Sequence, residues 1–489
     1  MANSTLSIAR KQVRAKYGKA FESKASDALV LSIAQPLAFP AAMAGARGVT
    51  FALPLLVEPE TARGEAFRGA LPAAAVQGGP STAIIELGMP APRRVVVAEA
   101  SYPAFDRLSS TLAELGAASA ADAASVMRRL HAFRLRAAFY QAAAPLREQI
   151  GRTAGAVTAG APGTPISTTQ MCWLNASMRT LANLPALADV AQDSTVQRIG
   201  LPRLLKPDAR AGPEDLLQSR AYRRKRHVTG KDVVVAVLDS EIAYKHPAFG
   251  GRVILKENYT RESWGHPSSH GTAVAGLIAA SSASFTGVAP EATIYHYKVL
   301  ATAAANHADD FGGMQALQQA LEDGAHIANC SWGIGAAGDG TSREARGFDQ
   351  AWSLGLTIVK SAGNDGDLGL TSPADAAGAI VVGASDKSGT QIIPQSSRGP
   401  SVNGRRPDCV APGGSSGDEV KSCKVDGRIG RVGFGTSFAA AEVAGVLALL
   451  LQKNRGQSPD ELRAALIGLC HKLPGADDNA QGNGLVVLG

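Results

Sequence analysis

Residues 232–489 of this chain predict an α/β fold with a doubly wound, mostly parallel sheet and helices on both of its faces. Short, mostly apolar runs alternate there with helical segments, and the runs are more nearly continuous than alternating in their apolar residues. Strands of that kind are buried on both faces, as they are in parallel sheets. Right-handed crossovers then distribute the connecting helices over the two faces.

The predicted elements follow one another in a regular order. Strands are expected at 233–238, 293–300, 327–331, 357–361 and 379–383, and helices at 271–281, 313–323, 346–354 and 438–451. In an open parallel sheet, catalytic and binding groups gather at the carboxyl ends of the strands. Polar residues at those ends are therefore the first candidates for a functional site.

The first half of the chain predicts smaller α+β domains. Residues 1–118 are rich in alanine and are interpreted as an N-terminal α/β domain of unknown role, with strand-like runs at 49–57, 83–87 and 95–98 and a helix at 105–115. Residues 119–205 predict a compact α+β unit of helix, strand, helix and strand, at 126–140, 172–176, 178–187 and 196–199. Residues 206–231 combine prolines and glycines with a basic run and predict a flexible linker.

Composition excludes several classes of protein. With 489 residues, of which 45% are hydrophobic and 19% charged, the chain can bury more than one core, which excludes a disordered or fibrous protein. A net charge of +7 over this length is too dilute to predict a nucleic-acid partner. The apolar run 28–46 is interrupted by Gln35, Pro36 and Pro40, so no membrane partner is predicted either. We expect a cytoplasmic protein, with export as the alternative if residues 28–46 act as a signal.

Cysteines and possible metal ligands predict neither a disulfide framework nor a cofactor. The five cysteines are few and scattered, which favours free thiols in a reducing compartment. His307, Asp309 and Asp310 lie together in the sequence, but we interpret them as a solvated polar loop. Calcium would be possible, although no acidic loop indicates it.

Three polar residues stand at the ends of apolar elements in the second half. Asp239 ends the first strand, His270 opens a helix, and Ser437 precedes the apolar helix at 438–451. A carboxylate can hold an imidazole in one tautomer, and the imidazole can take the proton of a hydroxyl. The start of a helix adds N–H groups and a positive dipole end near a developing oxyanion. Each residue alone is ordinary, whereas the order Asp, His, Ser predicts nucleophilic catalysis.

These residues and their surroundings resemble the subtilisin-like serine protease (subtilase) family. The matching segments occur in the family's order, at 233–240, 270–276, 287–290, 329–333, 361–364, 397–400, 407–413 and 435–440. Glu241 is a departure, because the family usually has glycine there. It places a carboxylate near the Asp239 turn without removing any group of the triad.

The resemblance implies a serine endopeptidase that works through an acyl-enzyme. Ser437 would be the nucleophile, His270 the general base and then acid, and Asp239 the residue that orients the imidazole. Asn364 would form the oxyanion hole together with the backbone N–H of Ser437. An extended protein or peptide substrate would bind along two segments, which comprise Ser331, Trp332, Gly333, Ser361, Ala362 and Gly363.

The resemblance also implies a role for the first half of the chain. Many subtilases carry a propeptide that blocks the cleft, and residues 119–205 look like such a propeptide-like inhibitory domain. Its tail would lie in the cleft, and the chain would be cut within 200–230. We therefore expect a zymogen that processes itself and has its own N-terminal domain as a partner. Two alternatives stay open: a partner-triggered intracellular effector protease that is not self-processed, and a catalytically silent binding protein on a protease fold.

Overall fold

A computed structural model of the protein describes residues 2–27, 29–30, 81–87, 144, 147–148, 151, 167–172, 174–182, 187, 190–192, 196–207 and 217–488. These residues divide into two units. The first contains the described residues up to Arg203, and the second begins at Leu204.

The first unit contains a four-stranded antiparallel sheet and two helices. Its helices are α1 (Ala2–Tyr17) and α2 (Lys19–Lys24), and its strands are β1 (Ser81–Leu87), β2 (Ser167–Cys172), β3 (Ser177–Ala182) and β4 (Val196–Gly200). The strand order is β2-β3-β1-β4, and Ala83, Ile84 and Ile85 of β1 are fully buried. The strands predicted at 83–87 and 196–199 are thus confirmed.

The domain boundary predicted at residue 118 is wrong for the described strands. β1 lies between β3 and β4, although the prediction assigned it to a separate domain. A buried strand needs partners for the N–H and C=O groups on both of its edges, and β1 finds them far along the chain. Long-range pairing with β1 also explains why residues 178–182 form β3 and not the predicted helix, because pairing overrides local propensity. The elements predicted at 49–57, 95–98, 105–115 and 126–140 lie outside the described residues.

The second unit is built on a nine-stranded sheet. Its strands are β6 (Val234–Ser240), β7 (Val253–Asn258), β8 (Thr293–Leu300), β9 (Ile327–Cys330), β11 (Thr357–Ser361), β12 (Ile380–Ser385), β13 (Cys409–Pro412), β16 (Cys470–His471) and β17 (Leu485–Val486). The order is β16-β17-β13-β12-β11-β9-β6-β8-β7, and all pairs are parallel except β16 with β17. Two short pairs lie outside it, β5 (Lys206–Pro207) with β10 (Trp332–Gly333), and β14 (Lys421–Cys423) with β15 (Ile429–Arg431).

Helices cover this sheet in the arrangement that the sequence predicts. They are α3 (Ser219–Arg226), α4 (Ser269–Ala279), α5 (Asp310–Glu322), α6 (Arg343–Ser353), α7 (Thr436–Lys453), α8 (Pro459–Ile467) and α9 (Asp478–Gln481). α4 packs on α7, while α5 packs on α6, and both pairs contact the sheet. Side-chain caps at Ser268, Asp309 and Ser342 set the starts of α4, α5 and α6. The doubly wound α/β fold predicted for this part of the chain is confirmed.

The flexible linker predicted at 206–231 is wrong over its described parts. Lys206 and Pro207 form a strand, and the basic run lies in helix α3. Tyr222 of that helix is buried, and the Arg223 guanidinium donates hydrogen bonds to the carbonyls of Gly287 and Val288, at 3.1 and 2.9 Å. Arg223 therefore ties the helix to the packed unit, because arginine can bury its stem and still reach main-chain oxygens, whereas the other three basic residues of the run are exposed.

Helix α7 is long and apolar for a structural reason. Within the described part of the chain, it is the helix with the length and composition to cross a membrane, yet 83% of its most apolar window is buried inside the protein. It contacts α4 and five strands of the sheet, β6, β9, β11, β12 and β13. The hydrophobicity of α7 thus reflects its position in the core. That position places Ser437, near the start of the helix, at the carboxyl end of the sheet.

Candidate active site

Asp239 and His270 form a hydrogen-bonded pair at the carboxyl end of β6. Asp239 is fully buried, and its Oδ1 lies 2.6 Å from Nδ1 of His270. The same oxygen accepts hydrogen bonds from the backbone N–H and the hydroxyl of Ser240, at 2.6 and 3.0 Å. A carboxylate held in this way fixes the orientation of the imidazole and its tautomer.

Gly271 allows the start of α4 to approach the end of β6. A Cβ atom on Gly271 would lie 2.0 Å from the carbonyl oxygen of Ser240, so no larger residue fits without a shift of the backbone. Its N–H donates to the Ser240 hydroxyl at 3.0 Å. The glycine after His270 is therefore required by the close contact that brings His270 to Asp239.

Ser437 is the second residue of α7 and is held against Ser331, the residue between β9 and β10. Its hydroxyl donates to the carbonyl oxygen of Ser331 at 3.2 Å, and the hydroxyl of Ser331 donates to the carbonyl oxygen of Ser437 at 3.1 Å. The ring of Phe438 lies 5.9 Å from the His270 ring, so the first turn of α7 lies beside the imidazole. To act as a nucleophile, the Ser437 hydroxyl has to exchange its present acceptor for Nε2 of His270.

Asn364 is fixed by Thr436, the residue before Ser437. The side-chain oxygen of Asn364 accepts hydrogen bonds from the backbone N–H and the hydroxyl of Thr436, at 3.1 and 3.2 Å. The Thr436 hydroxyl also contacts the backbone of Gly363. Since the amide oxygen is occupied, the amide nitrogen is the group that can donate to an oxyanion near Ser437.

The two predicted substrate-binding segments lie on either side of these groups. Ser331 contacts Ser437 directly, and the following Trp332 and Gly333 form β10, which pairs antiparallel with β5. Ser361 ends the neighbouring strand β11 and leads into Ala362 and Gly363, which contact Thr371 and Thr436. The ten residues predicted from the sequence thus lie together at the carboxyl end of the sheet.

Glu241, the departure noted in the sequence, forms a buried ionic network beside this site. Its Oε2 lies 2.9 Å from Nζ of Lys298, which is also 3.0 Å from Glu262. Glu241 accepts hydrogen bonds from the N–H groups of Gly265 and His266, at 2.8 and 3.0 Å. Burial opposes ionisation, but these hydrogen bonds and the Lys298 charge lower the pKa of Glu241 below its ordinary value. The network therefore anchors the loop that leads into α4 and His270.

Three residues that resemble a metal cluster in the sequence have separate structural contacts. Nδ1 of His307 accepts the N–H of Ala301 at 3.0 Å, Asp309 caps α5, and Asp310 forms an ion pair with Arg343. Within the described ranges, no group of three or more His, Cys, Asp or Glu side chains is arranged to hold a metal ion.

None of the five cysteines, all of which lie within the described ranges, forms a disulfide. Cys330 adjoins the predicted substrate edge but is fully buried, and burial raises the pKa of its thiol. Burial likewise raises the pKa of Cys423 to about 12. Thiols in this state are poor nucleophiles because they stay protonated.

Comparison with known proteins identifies the family. Residues 230–484, just over half of the chain, match the model of the subtilase family. The chain belongs to this family. It is similar to the serine protease AprX of Bacillus subtilis (strain 168), with 31% identity over 330 residues that cover 61% of this chain and 74% of that protein. It is also similar to subtilisin BL of Lederbergia lenta, with 34% identity over 271 residues that cover 53% of this chain and 91% of that one.

The fold has solved relatives as well. Fervidolysin from Fervidobacterium pennivorans, a keratinolytic enzyme related to subtilisin, matches with a TM-score of 0.55 and 22% identity over 70% of this subtilase and 59% of that chain. At that identity the likeness concerns the fold alone. The family membership shows that this protein is a subtilisin-like serine endopeptidase. It therefore hydrolyses peptide bonds in peptide substrates.

Sequence reasoning missed three contributors to the site. Thr436 orients Asn364, Lys298 neutralises Glu241, and the strand β5 covers the substrate edge. A lysine within a buried strand is a usable signal for such roles, because an unpaired buried charge is costly. Nothing in the local sequence of β5 marks its partner.

Proposed function

We propose that this subtilase cleaves peptide bonds with Asp239, His270 and Ser437, and that it is made as a zymogen restrained by its N-terminal half. The proposed restraint is supported by the antiparallel pairing of β5 with β10. β10 belongs to the predicted substrate edge, and the strand that covers it belongs to the same chain.

The chemistry follows from the geometry of the pair and of the helix start. The Ser437 hydroxyl attacks the carbonyl carbon of the substrate while His270 Nε2 takes its proton. Asp239 stabilises the resulting imidazolium through the bond to Nδ1. The amide nitrogen of Asn364 and the N–H of Ser437 donate to the oxyanion. His270 then gives its proton to the leaving amine, and water hydrolyses the acyl-enzyme by the reverse sequence of proton transfers.

The restraint uses the same backbone groups that an extended substrate would use. Lys206 lies opposite Gly333 and Pro207 opposite Trp332 in the antiparallel ladder. The preceding Leu205 is fully buried, and its N–H donates to the carbonyl of Ala308 at 3.0 Å. A substrate strand needs free N–H and C=O groups on the edge, so it competes with residues 204–207.

Self-processing is tested by comparing wild-type protein with Ser437→Ala. Wild type is expected to shorten to a fragment that begins within 200–230, whereas Ser437→Ala stays full length. Mass spectrometry of the intact proteins and of the new N-terminus measures this. If both proteins stay full length under all conditions, self-processing is wrong, and the partner-triggered alternative is favoured.

The hold of residues 204–207 on the edge is tested by a matched pair of variants. Leu205→Asp places a charge at a fully buried position and should raise the initial rate on an added peptide before any shortening occurs. Leu204→Asp changes a partly exposed neighbour and should alter that rate much less. If the two variants cleave the added peptide at equal initial rates, the burial of Leu205 does not hold residues 204–207 on the substrate edge.

A further inference from the structure

We propose that Lys360 makes this subtilase select substrates with a carboxylate side chain, Asp or Glu, immediately before the bond that is cut. This inference rests on the proposed function, since it names the substrate class of the same site. Neither the family membership nor the predicted site residues assign a role to Lys360.

Lys360 is a charged residue in an otherwise uncharged buried strand. It is the fourth residue of β11, its side chain is fully buried, and its backbone lies opposite Cys330 in the parallel ladder. Its Nζ donates to the carbonyl oxygen of Ser361, to the Ser361 hydroxyl at 3.2 Å and to the Thr371 hydroxyl at 3.4 Å. The ammonium group therefore lies at the carboxyl end of the strand, where the site is.

These hydrogen bonds place the charge between the two substrate-binding segments. On one side, the Ser361 hydroxyl donates to the carbonyl of Cys330 at 3.4 Å, and the next residue, Ser331, contacts Ser437. On the other side, Thr371 donates its N–H to the carbonyl of Ala362 at 3.0 Å.

The Thr371 side chain packs against Gly363, in the second of the two substrate-binding segments. A Cβ atom on Gly363, whose φ is +111°, would lie 2.6 Å from Cγ2 of Thr371. Thr371 therefore lies directly against the segment that leads to Asn364. A substrate side chain that enters between the two segments next to Ser437 meets the Lys360 ammonium group.

The charge discriminates among substrate side chains by sign. A carboxylate gains a charge-assisted hydrogen bond from the ammonium group, and the low local dielectric strengthens it. A lysine or arginine side chain would instead bring a like charge into the same space, which is the repulsive element that specificity requires.

The register of β5 on β10 agrees with this assignment. Lys206 pairs with Gly333 and Pro207 with Trp332, so a substrate strand continued by one residue brings that residue opposite Ser331, which contacts Ser437. In the sequence, the residue after Pro207 is Asp208. The chain thus carries an acidic residue at the position that the inference requires, inside the predicted processing region.

Peptides of the form Leu-Lys-Pro-X with a chromogenic amine after X test the inference, with X as Asp, Glu, Asn, Leu or Lys. Active enzyme is first counted by fluorophosphonate labelling of the full-length protein after incubation. The expected kcat/KM is about 10- to 100-fold higher for Asp than for its neutral isostere Asn, and lowest for Lys. In Lys360→Met the ratio of Asp to Asn should fall to about 1, while labelling persists.

Matched controls keep the outcomes distinct. Lys231→Met removes an exposed lysine just before the amino end of β6, whereas the site lies at the carboxyl ends of the strands, and it should leave the ratio of Asp to Asn unchanged. Thr371→Val removes one acceptor of the ammonium group and should change the ratio while the label is retained. A labelled wild type without preference for Asp over Asn, or a preference that survives in Lys360→Met, would overturn the inference alone. Absence of labelling in wild type would overturn the proposed function and this inference with it.

Discussion

Thr436 donates its backbone N–H to the side-chain oxygen of Asn364 at 3.1 Å. This bond links the start of α7, which carries Ser437, to the loop after β11. It decides which end of the Asn364 amide faces outward, because the oxygen is already occupied by two donors from Thr436. The oxyanion hole is thus oriented by the residue directly before the nucleophile.

Replacing Asn364 by alanine should lower kcat about 10²- to 10³-fold and change KM little, because the lost hydrogen bond forms only with the oxyanion. Steady-state kinetics on one peptide substrate measure both constants. Asn364→Asp serves as the isosteric control, since it keeps an acceptor for Thr436 but loses the amide donor and should also be slow. An unchanged kcat in Asn364→Ala would exclude Asn364 from the oxyanion hole.

Asp239→Asn should lower kcat about 10⁴-fold, because an amide at this position favours the wrong tautomer of His270. The side chain would still accept the N–H of Ser240, so the fold should persist. Circular dichroism checks the fold, and pre-steady-state kinetics measure the acylation rate. Acylation at the wild-type rate would show that the 2.6 Å bond between Asp239 and His270 has no catalytic role.

Lys298→Met should destabilise the protein by about 3–5 kcal/mol, because it leaves Glu241 and Glu262 without their shared cation. Urea unfolding in a Ser437→Ala background, which prevents self-digestion, measures the change. The matched control is Lys256→Met, whose partner Asp323 lies 3.1 Å away but whose side chain is 27% exposed. That variant should lose about 1 kcal/mol or less. Equal losses in both variants would contradict a special role for the buried network.

His296 predicts a pH dependence of stability. It is fully buried in β8, and burial lowers its pKa to about 4 from the ordinary 6.5. Between these two values the unfolded chain binds a proton that the folded protein does not, so stability is lost as the pH falls from 6.5 toward 4. His296→Asn keeps a donor for the Val237 carbonyl and removes the titration.

The free energy of unfolding of wild type should therefore fall by about 2 kcal/mol more than that of His296→Asn between pH 7.5 and pH 5.0. Both proteins are compared in the Ser437→Ala background by urea unfolding at the two pH values. Parallel changes in the two proteins would show that His296 does not contribute.

The parallel sheet could be predicted because its signal is local. A mostly apolar run marks a strand buried on both faces whatever its neighbours are. The bounds expected for β8 and β11 agree with the structure, although these strands also contain Lys298 and Lys360. The positions of Asp239, His270 and Ser437 are also local signals, since Asp239 ends such a strand and the other two stand at the starts of apolar helices.

The rest depended on contacts between distant parts of the chain. The predicted domain boundary separated β1 from its partners β3 and β4, which follow it by a long interval in the chain. The sequence of a strand does not indicate which distant strand it pairs with. Lys298 and Lys360 carry no local signal beyond their presence in buried strands. Lys298 acts through its ion pair with Glu241, which follows β6, and Lys360 through its hydrogen bond to Thr371, which follows β11. These partners are distant in sequence and become neighbours only in the folded protein.

Labelling with a fluorophosphonate probe tests the central claim most directly, because the probe reacts only with a serine that a neighbouring base activates. We predict strong labelling of wild type that maps to Ser437, none in Ser437→Ala, and weak labelling in His270→Ala. A wild-type protein that stays unlabelled, even after the chain before residue 217 has been removed, would contradict the account.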